Sequence, residues 1–261
     1  MSRLLISFLI LFFAGDLAAA MVAKPIHYTV GKTRFSGHLV YDDASARLRP
    51  GLVMVPNWMG ENASAIDKAK AIASTEYVVL VADMYGEGVR PTTTDEARAE
   101  VGKLYADIPQ LRARISEAVA TLKAQVGKAP LQPGKVGAVG FCFGGSTVLE
   151  LARSGADLAG VVSLHGGLST SMRAAEKSVK SPILVLNGAD DKSTSIDDIK
   201  AFDDEMNAAG ADWQFVNFSG AVHCFAEADA NRPPGCVYNE RAAKRAYRMM
   251  DNFLAEVFAA H

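Results

Sequence analysis

The sequence lacks an excess of either charge, and this limits its partners. Its 261 residues include 27 lysines and arginines against 29 aspartates and glutamates, which gives a net charge of -2. Proteins that bind nucleic acid usually carry a basic surplus that neutralises phosphates. We therefore predict no nucleic-acid partner. The sequence also has no internal repeat and no low-complexity linker, which favours a single domain.

Histidines are few and show no metal-ligand pattern. Metal sites built on histidine usually need two or more ligands at short, regular spacing. None of the five histidines has a partner at such a spacing, so we predict no metal ion. Their positions are His27, His38, His165, His223 and His261.

Only three cysteines are present, Cys142, Cys224 and Cys236, and no two of them form a C-x-x-C pair. The missing pair argues against a thiol redox role. In an oxidising compartment Cys224 and Cys236 could form a disulfide, because the Pro-Pro-Gly loop between them can bend back, and Cys142 would stay reduced. Two unpaired thiols are the alternative, since spacing alone does not establish geometry.

Long apolar runs are missing outside the N-terminus. There, Arg3 precedes a short apolar block, and an A-x-A cleavage signal ends at Ala20. The block is too short to span a bilayer, and the pattern predicts a signal peptide over residues 1–20. We therefore expect an exported protein, periplasmic or secreted, with no stable membrane insertion after cleavage. A membrane anchor or a buried helix is the alternative.

Short apolar runs alternate with longer amphipathic stretches in the rest of the chain. A hairpin around Gly31-Lys32 is followed by GLVMVPN, YVVLVADMY, KVGAVGF, AGVVSLHGG, SPILVLNGADD and DWQFVNFSG. This alternation is typical of βα units around a buried parallel sheet. We predict an α/β fold over residues 21–261, with a mostly parallel central sheet, helices on both faces and no separate cap domain.

The sequence GFCFGG follows one of these runs and precedes a helical stretch. A sharp turn from strand to helix needs small residues beside its nucleophile, which Gly140 and Gly144 supply. The turn would place Cys142 at the helix N-terminus, where the helix dipole and free N–H groups favour the thiolate. Cys142 is therefore a candidate nucleophile, and a small buried thiol is the alternative.

Two later runs supply partners for this thiol. The run that ends in NGADD offers Asp191, and the run that ends in SGAVHCF offers His223. The order nucleophile, acid, histidine is that of an α/β-hydrolase triad. His223 would keep Cys142 ionised and protonate the leaving group, while Asp191 would orient the imidazole. Asp190 is the second choice for the acid, because the acid normally follows its glycine by three residues.

Acyl transfer also needs hydrogen-bond donors for the oxyanion that forms on the substrate. The backbone N–H of Phe143, next to the candidate nucleophile, is one candidate. The loop after GLVMVPN offers the N–H of Trp58 as the second. The alternative is that Asn57 and Trp58 form only a turn and a hydrophobic lid.

These motifs resemble those of the dienelactone hydrolase family, small α/β hydrolases that use a cysteine nucleophile on esters and lactones. The resemblance rests on VMVPNWMGEN, VADMYGEG, GFCFGG, NGADD, AVHCFAE and YNERAAKRAYRMMDNF, and covers nearly all of the chain after the signal. It implies an α/β-hydrolase fold, a small ester or lactone as substrate and a covalent thioester intermediate. It also implies that no cofactor is needed.

The chain departs from this family in its expected pocket. Members that act on dienelactone have a glutamate where this chain has Asn57, and arginines where it has Glu87 and Glu227. Two acids would repel an anionic substrate, so we predict a neutral or cationic ester or lactone, unless Arg90 compensates. The predicted pocket residues are Asn57, Tyr85, Glu87, Arg90, Phe225 and Glu227.

A non-catalytic binding or signalling module on an α/β-hydrolase shell is the alternative function. The missing glutamate at Asn57 favours it, whereas the intact set of Cys142, Asp191 and His223 argues for an enzyme. No oligomeric state is predicted.

Overall fold

The computed structural model describes residues 20–261. The predicted signal peptide, residues 1–20, lies outside this part of the chain except for Ala20. Strand β1 (Met21–Val30) and strand β2 (Thr33–Asp42) pair antiparallel as the expected hairpin. Gly31 has a φ of 59° at the turn, a conformation that glycine adopts without steric cost.

Six further strands complete an eight-stranded sheet in the order β1-β2-β4-β3-β5-β6-β7-β8. Strand β2 pairs antiparallel with β4, and the other neighbours from β4 to β8 pair in parallel. The mostly parallel sheet confirms the predicted fold class. The strands are β3 (Arg49–Val55), β4 (Val78–Val81), β5 (Leu131–Phe141), β6 (Val161–Leu164), β7 (Ile183–Gly188) and β8 (Trp213–Phe218).

Helices cover both faces of this sheet because alternate strand residues point to opposite sides. Four helices pack on one apolar cluster, and two pack on the other. The first four are α2 (Thr94–Tyr105), α3 (Ile108–Lys123), α4 (Phe143–Arg153) and α5 (Ile196–Ala208). The other two are α1 (Ala63–Ala73) and α6 (Glu240–Ala260). From Ala20 onward, no helix combines the length and the apolar character needed to cross a bilayer.

A small ribbon stands beside the main sheet. Strands β9 (Asn231–Arg232) and β10 (Cys236–Val237) pair antiparallel between β8 and α6. The loops that follow β3, β5, β7 and β8 leave the carboxyl ends of parallel neighbours, so they meet at one edge of the sheet. This edge collects the candidate functional residues.

Candidate active site

Cys142 occupies the sharp turn between β5 and α4. It has φ 54° and ψ -119°, a left-handed conformation that is unfavourable for a residue with a side chain. A Cβ atom on Gly140 would overlap the backbone carbonyl of Gly144, and one on Gly144 would overlap the carbonyl oxygen of Val55. Both glycines are therefore sterically required for the turn that presents the thiol.

The structure brings together the thiol, the imidazole and the carboxylate predicted from the sequence. Cys142 Sγ lies 3.0 Å from His223 Nε2, and His223 Nδ1 lies 2.7 Å from Asp191 Oδ2. The other oxygen of Asp191 accepts hydrogen bonds from the Ser193 hydroxyl at 2.6 Å and the Ser193 backbone N–H at 2.9 Å. Asp190 is exposed, and Asp191 is the acid that contacts the histidine.

The contacts around His223 favour its charged form. Burial by itself lowers the pKa of His223, but the hydrogen bonds to Asp191 and Cys142 outweigh burial and raise the pKa to about 10. Burial would raise the pKa of the Asp191 carboxyl, yet the hydrogen bonds from His223 and Ser193 lower it overall. A charged imidazolium beside the sulfur stabilises a thiolate, which is the nucleophilic form.

His165 is a second histidine at the site, and the sequence analysis gave it no role here. It is buried, and its Nδ1 accepts a hydrogen bond at 3.1 Å from the backbone N–H of Cys142, which also donates to the carbonyl of Leu164. Burial, the charge of His223 and the charge of Lys68 all lower the pKa of His165. His165 is therefore neutral and adds no positive charge beside the imidazolium, whose ring centre is 5.2 Å away. The sequence signal that could have identified His165 is its position directly after the buried strand β6.

The two predicted oxyanion donors belong to the two segments next to Cys142 in the site, the start of α4 and the loop after β3. Phe143 is the first residue of α4, and Trp58 lies in the loop after β3. Within residues 20–261, neither backbone N–H has an acceptor in the chain. The Tyr85 hydroxyl donates to the carbonyl of Trp58 at 2.7 Å, and its ring stacks on Phe143 with centroids 5.8 Å apart. Tyr85 thus supports both donor residues.

A cavity of about 570 Å³ opens at Cys142. Trp58 and His223 line it beside the thiol. Two basic residues, Lys192 and Arg232, also line it. A small-molecule substrate therefore has access to the sulfur.

Cys224 and Cys236 form a disulfide at this cavity, so the first of the two sequence alternatives is the one found. Cys142 is the free cysteine in the described part of the chain. The disulfide begins one residue after His223 and therefore joins the loop of this histidine to the ribbon of β9 and β10.

Asn57 and Glu227 lie behind the cavity and do not line it. Glu227 is buried, forms an ion pair with Lys68 and accepts a hydrogen bond from Asn57 Nδ2 at 2.6 Å. Asn57 Oδ1 in turn accepts from the backbone N–H of Met59 at 3.0 Å. The Lys68 ammonium also lies 4.5 Å from the ring centre of Phe141. This network neutralises the Glu227 charge and anchors the loop that contains Trp58.

The remaining predicted pocket residues are also placed elsewhere. Glu87 pairs with Arg34 at 3.1 Å, because its backbone N–H is held on the Arg34 carbonyl at the hairpin. Arg90 pairs with Glu61 at 2.8 Å, and Phe225 is fully buried. None of the six predicted pocket residues lines the cavity. The structure thus places neither predicted acid at this cavity, since loop direction turns Glu87 to the hairpin and buries Glu227.

No group of three or more His, Cys, Asp or Glu side chains is arranged to hold a metal ion in the part of the chain that the structure describes. The sheet order and the turn at Cys142 define an α/β hydrolase. A family model described as the dienelactone hydrolase family matches residues 35–258. The chain belongs to this family, which confirms the resemblance inferred from its motifs.

Individual relatives agree with this assignment. The chain is 35% identical to the dienelactone hydrolase-like promiscuous phosphotriesterase P91 from metagenomic libraries, with 91% of this chain and 99% of that chain covered and a TM-score of 0.85. The chain is 33% identical to the protein called m3DLH. That match covers 92% of this chain and 99% of that chain, with a TM-score of 0.85. Carboxymethylenebutenolidase of Pseudomonas sp. (strain P51) is 32% identical over 133 residues, 48% of this chain and 52% of that protein. The protein is a carboxylic-ester or lactone hydrolase with a small-molecule substrate, which argues against the non-catalytic module.

Proposed function

We propose that the protein hydrolyses small carboxylic esters or lactones through a Cys142-His223-Asp191 triad and a covalent thioester intermediate. The observation that carries this proposal is the continuous set of contacts from Cys142 Sγ through His223 to Asp191, at 3.0 and 2.7 Å. Nucleophile, base and orienting acid stand within the distances that nucleophilic catalysis requires.

In the first half of the reaction, the Cys142 thiolate attacks the substrate carbonyl carbon. The negative charge that develops on the carbonyl oxygen is stabilised by the N–H groups of Phe143 and Trp58. His223 gives its proton to the leaving alkoxide, and the acyl group stays on sulfur as a thioester. Asp191 stabilises the imidazolium throughout this step.

In the second half, water replaces the alcohol. Neutral His223 takes a proton from this water, and the hydroxide attacks the thioester carbonyl. The tetrahedral intermediate collapses, the carboxylic acid leaves, and the thiolate-imidazolium pair of Cys142 and His223 is restored. No redox change occurs at any atom.

The test is intact-mass spectrometry during brief exposure to an activated neutral ester, with peptide mapping of the adduct. We expect an acyl group on Cys142 that decays with time, and none on a Cys142→Ala variant. A folded protein that turns over the ester without an adduct on Cys142, and equally well as the alanine variant, would refute the mechanism.

The predicted preference against anionic substrates has no support from the residues that line the cavity. Its basis was Glu87 and Glu227, which lie elsewhere. Lys192 and Arg232 line the cavity instead, with Asp190 also present. Rates with a neutral ester and with a carboxylate-bearing lactone of equal size would measure the preference directly.

We also propose that the protein is exported. The N-terminal pattern of a basic residue, an apolar block and an A-x-A signal supports this, and a disulfide between Cys224 and Cys236 fits an oxidising compartment. Fractionation of cells that express the whole chain should recover a form that begins at Met21 outside the cytoplasm. A full-length form retained inside would contradict the proposal.

Hydrolysis of neutral phosphotriesters is a second candidate activity of the same site. Its support is the 35% identity to P91, which is described as a promiscuous phosphotriesterase, together with an open cavity at a thiol paired with His223. We expect slow release of nitrophenolate from a nitrophenyl dialkyl phosphate, and loss of this release in Cys142→Ala. Equal rates for the two proteins would exclude it.

A further inference from the structure

One wall of the catalytic cavity is a segment closed by a covalent bond. We call residues Cys224–Cys236 the disulfide segment, because the disulfide joins its two ends. The segment starts immediately after His223, and its far end returns to the same residue: Cys236 forms a β-bridge with His223, and the Val237 N–H donates to the His223 carbonyl at 3.1 Å. The segment is therefore tied to the backbone of the catalytic histidine at both ends.

The inner and outer parts of the disulfide segment differ in burial. Residues 224–227 are buried, whereas residues 228–235 are mostly exposed and include the two-residue strand β9. Arg232, Pro234 and Gly235 of this outer part line the cavity, as do both cysteines. The outer part is held by the disulfide, by the β9–β10 pairing and by hydrogen bonds at Ala230 and Asp229, and not by burial in the core.

Arg232 extends from this wall across the cavity. Its guanidinium carbon lies 5.2 Å from the ring centre of Trp58, and its Nη2 lies 3.5 Å from Cys236 Sγ. A guanidinium over an indole face is an attractive cation-π contact. Arg232 therefore connects the disulfide segment to the loop that supplies an oxyanion donor.

We propose that the disulfide segment is the size-selective wall of this cavity, and that Arg232 is its specificity-determining residue. The substrates selected are compact esters or lactones. The wall is closed by a disulfide and contacts Trp58 through Arg232, so it does not move aside for a bulky group. A segment with fixed ends loses little freedom on binding a small ligand and opens for a large one only by breaking its contacts. This inference rests on the proposed function, but access to the thiol can be tested without turnover.

The first test compares alkylation of Cys142 by iodoacetamide and by a fluorescein-linked iodoacetamide, followed by intact mass. In both reactions the thiolate forms a carbon-sulfur bond and iodide leaves. The variants are Cys224→Ser/Cys236→Ser, in which Cys142 is the remaining thiol, and Arg232→Ala. The matched control is Arg98→Ala, because Arg98 is exposed on α2 and pairs with Asp95 away from the cavity.

We expect the ratio of the bulky to the small alkylation rate to rise about tenfold in the double variant and about threefold in Arg232→Ala, since the wall can then move. The ratio should not change in Arg98→Ala. Equal ratios in all four proteins, with normal iodoacetamide rates, would overturn the proposal. If the double variant does not fold, Arg232→Ala decides alone.

The second test measures kcat/KM for an acetate ester and for a bulky acyl ester of the same alcohol. We expect kcat/KM for the bulky ester to rise relative to kcat/KM for the acetate ester in both variants, mainly because the KM of the bulky ester falls. Wild-type protein that hydrolyses neither ester would refute the proposed function, while the alkylation ratio would still decide the role of the wall. Wild-type protein that hydrolyses both, with an unchanged ratio in the variants, would refute the wall alone.

Discussion

On one side of the cavity, Cys142 lies where β5 meets α4, and the glycines of this turn touch the backbone of β3 and α4. On the other side, the outer part of the disulfide segment is exposed and has one two-residue strand, β9. The first side is held by close packing in the sheet core. The second is held by the disulfide, the short β9–β10 ladder, a few hydrogen bonds and the contact of Arg232 with Trp58. From this comparison we expect the chemistry to depend on the packed scaffold and the substrate size to depend on the exposed wall.

The largest expected effect is at the thiol itself. Replacing Cys142→Ala removes the nucleophile, so we expect ester kcat/KM to fall by at least about 10⁴-fold. The thermal midpoint should change little, because alanine has the same Cβ in the same backbone conformation and the substitution removes only the sulfur atom. Activity within about tenfold of wild type would contradict covalent catalysis at this residue.

The next effect is at the acid. In Asp191→Asn the hydrogen bond that raises the pKa of His223 is weakened, and the imidazolium beside the thiolate is less stable. We expect kcat to fall by about 10³-fold near pH 7, with a lower pKa of His223 in an NMR titration. Asp190→Asn is the matched control, since Asp190 is exposed beside it, and an equal loss there would reassign the acid.

Packing behind the thiol should be sensitive to a single methyl group. Gly144→Ala would place its Cβ against the backbone carbonyl of Val55, and we expect about 3 to 4 kcal/mol less free energy of unfolding in urea. Gly102→Ala is the control, because Gly102 lies in α2 with open space around it and should gain about 0.5 to 1 kcal/mol. Similar values for both would show that the turn can relax.

The buried ion pair behind the cavity should matter more than a surface pair of the same type. Lys68→Met leaves the buried Glu227 without its cation, and we expect a loss of about 3 kcal/mol in the free energy of unfolding. Lys70→Met removes an exposed pair with Asp67, three residues earlier on the same helix, and should cost less than about 0.5 kcal/mol. Equal effects would mean that Glu227 is protonated or rehydrated in the variant.

The smallest effect concerns pH. The pKa of His223 is raised from 6.5 to about 10 on folding, so the folded state binds this proton more tightly. The contribution to the free energy of unfolding is complete below about pH 6.5 and is lost as the pH rises towards 10. We expect wild type to lose about 2 kcal/mol between pH 7 and pH 9 relative to His223→Gln, measured by urea titration. Parallel curves for the two proteins would contradict the raised pKa.

Much of the side of the cavity that contains Cys142 could be predicted, because the sequence patterns that indicate it are local. The apolar runs predicted the strands, since a parallel sheet buries both faces of each strand. The spacing of Gly140, Cys142 and Gly144 predicted the turn, because only glycine fits beside that backbone. Asp191 and His223 followed from their places directly after β7 and β8, where functional groups of parallel sheets collect.

The surroundings of the thiol could not be predicted in the same way. Glu227 lies four residues after His223 in the chain, yet its side chain faces Lys68 of α1 and not the cavity. His165 became relevant only when its Nδ1 met the backbone N–H of Cys142. Such contacts join residues far apart in the chain, and the direction of a loop side chain depends on the elements packed against it.

The sequence by itself determined the α/β fold, the turn that presents Cys142 and the three residues that meet there, because strand burial, glycine sterics and strand-end order are local properties. Only the tertiary structure decided which side chains enclose the substrate. It turned Glu87 to the hairpin, buried Glu227 against Lys68 and brought Arg232 over Trp58. The physical reason is that charged loop residues go where a partner of opposite charge or an aromatic face stabilises them, and those partners come from distant parts of the chain.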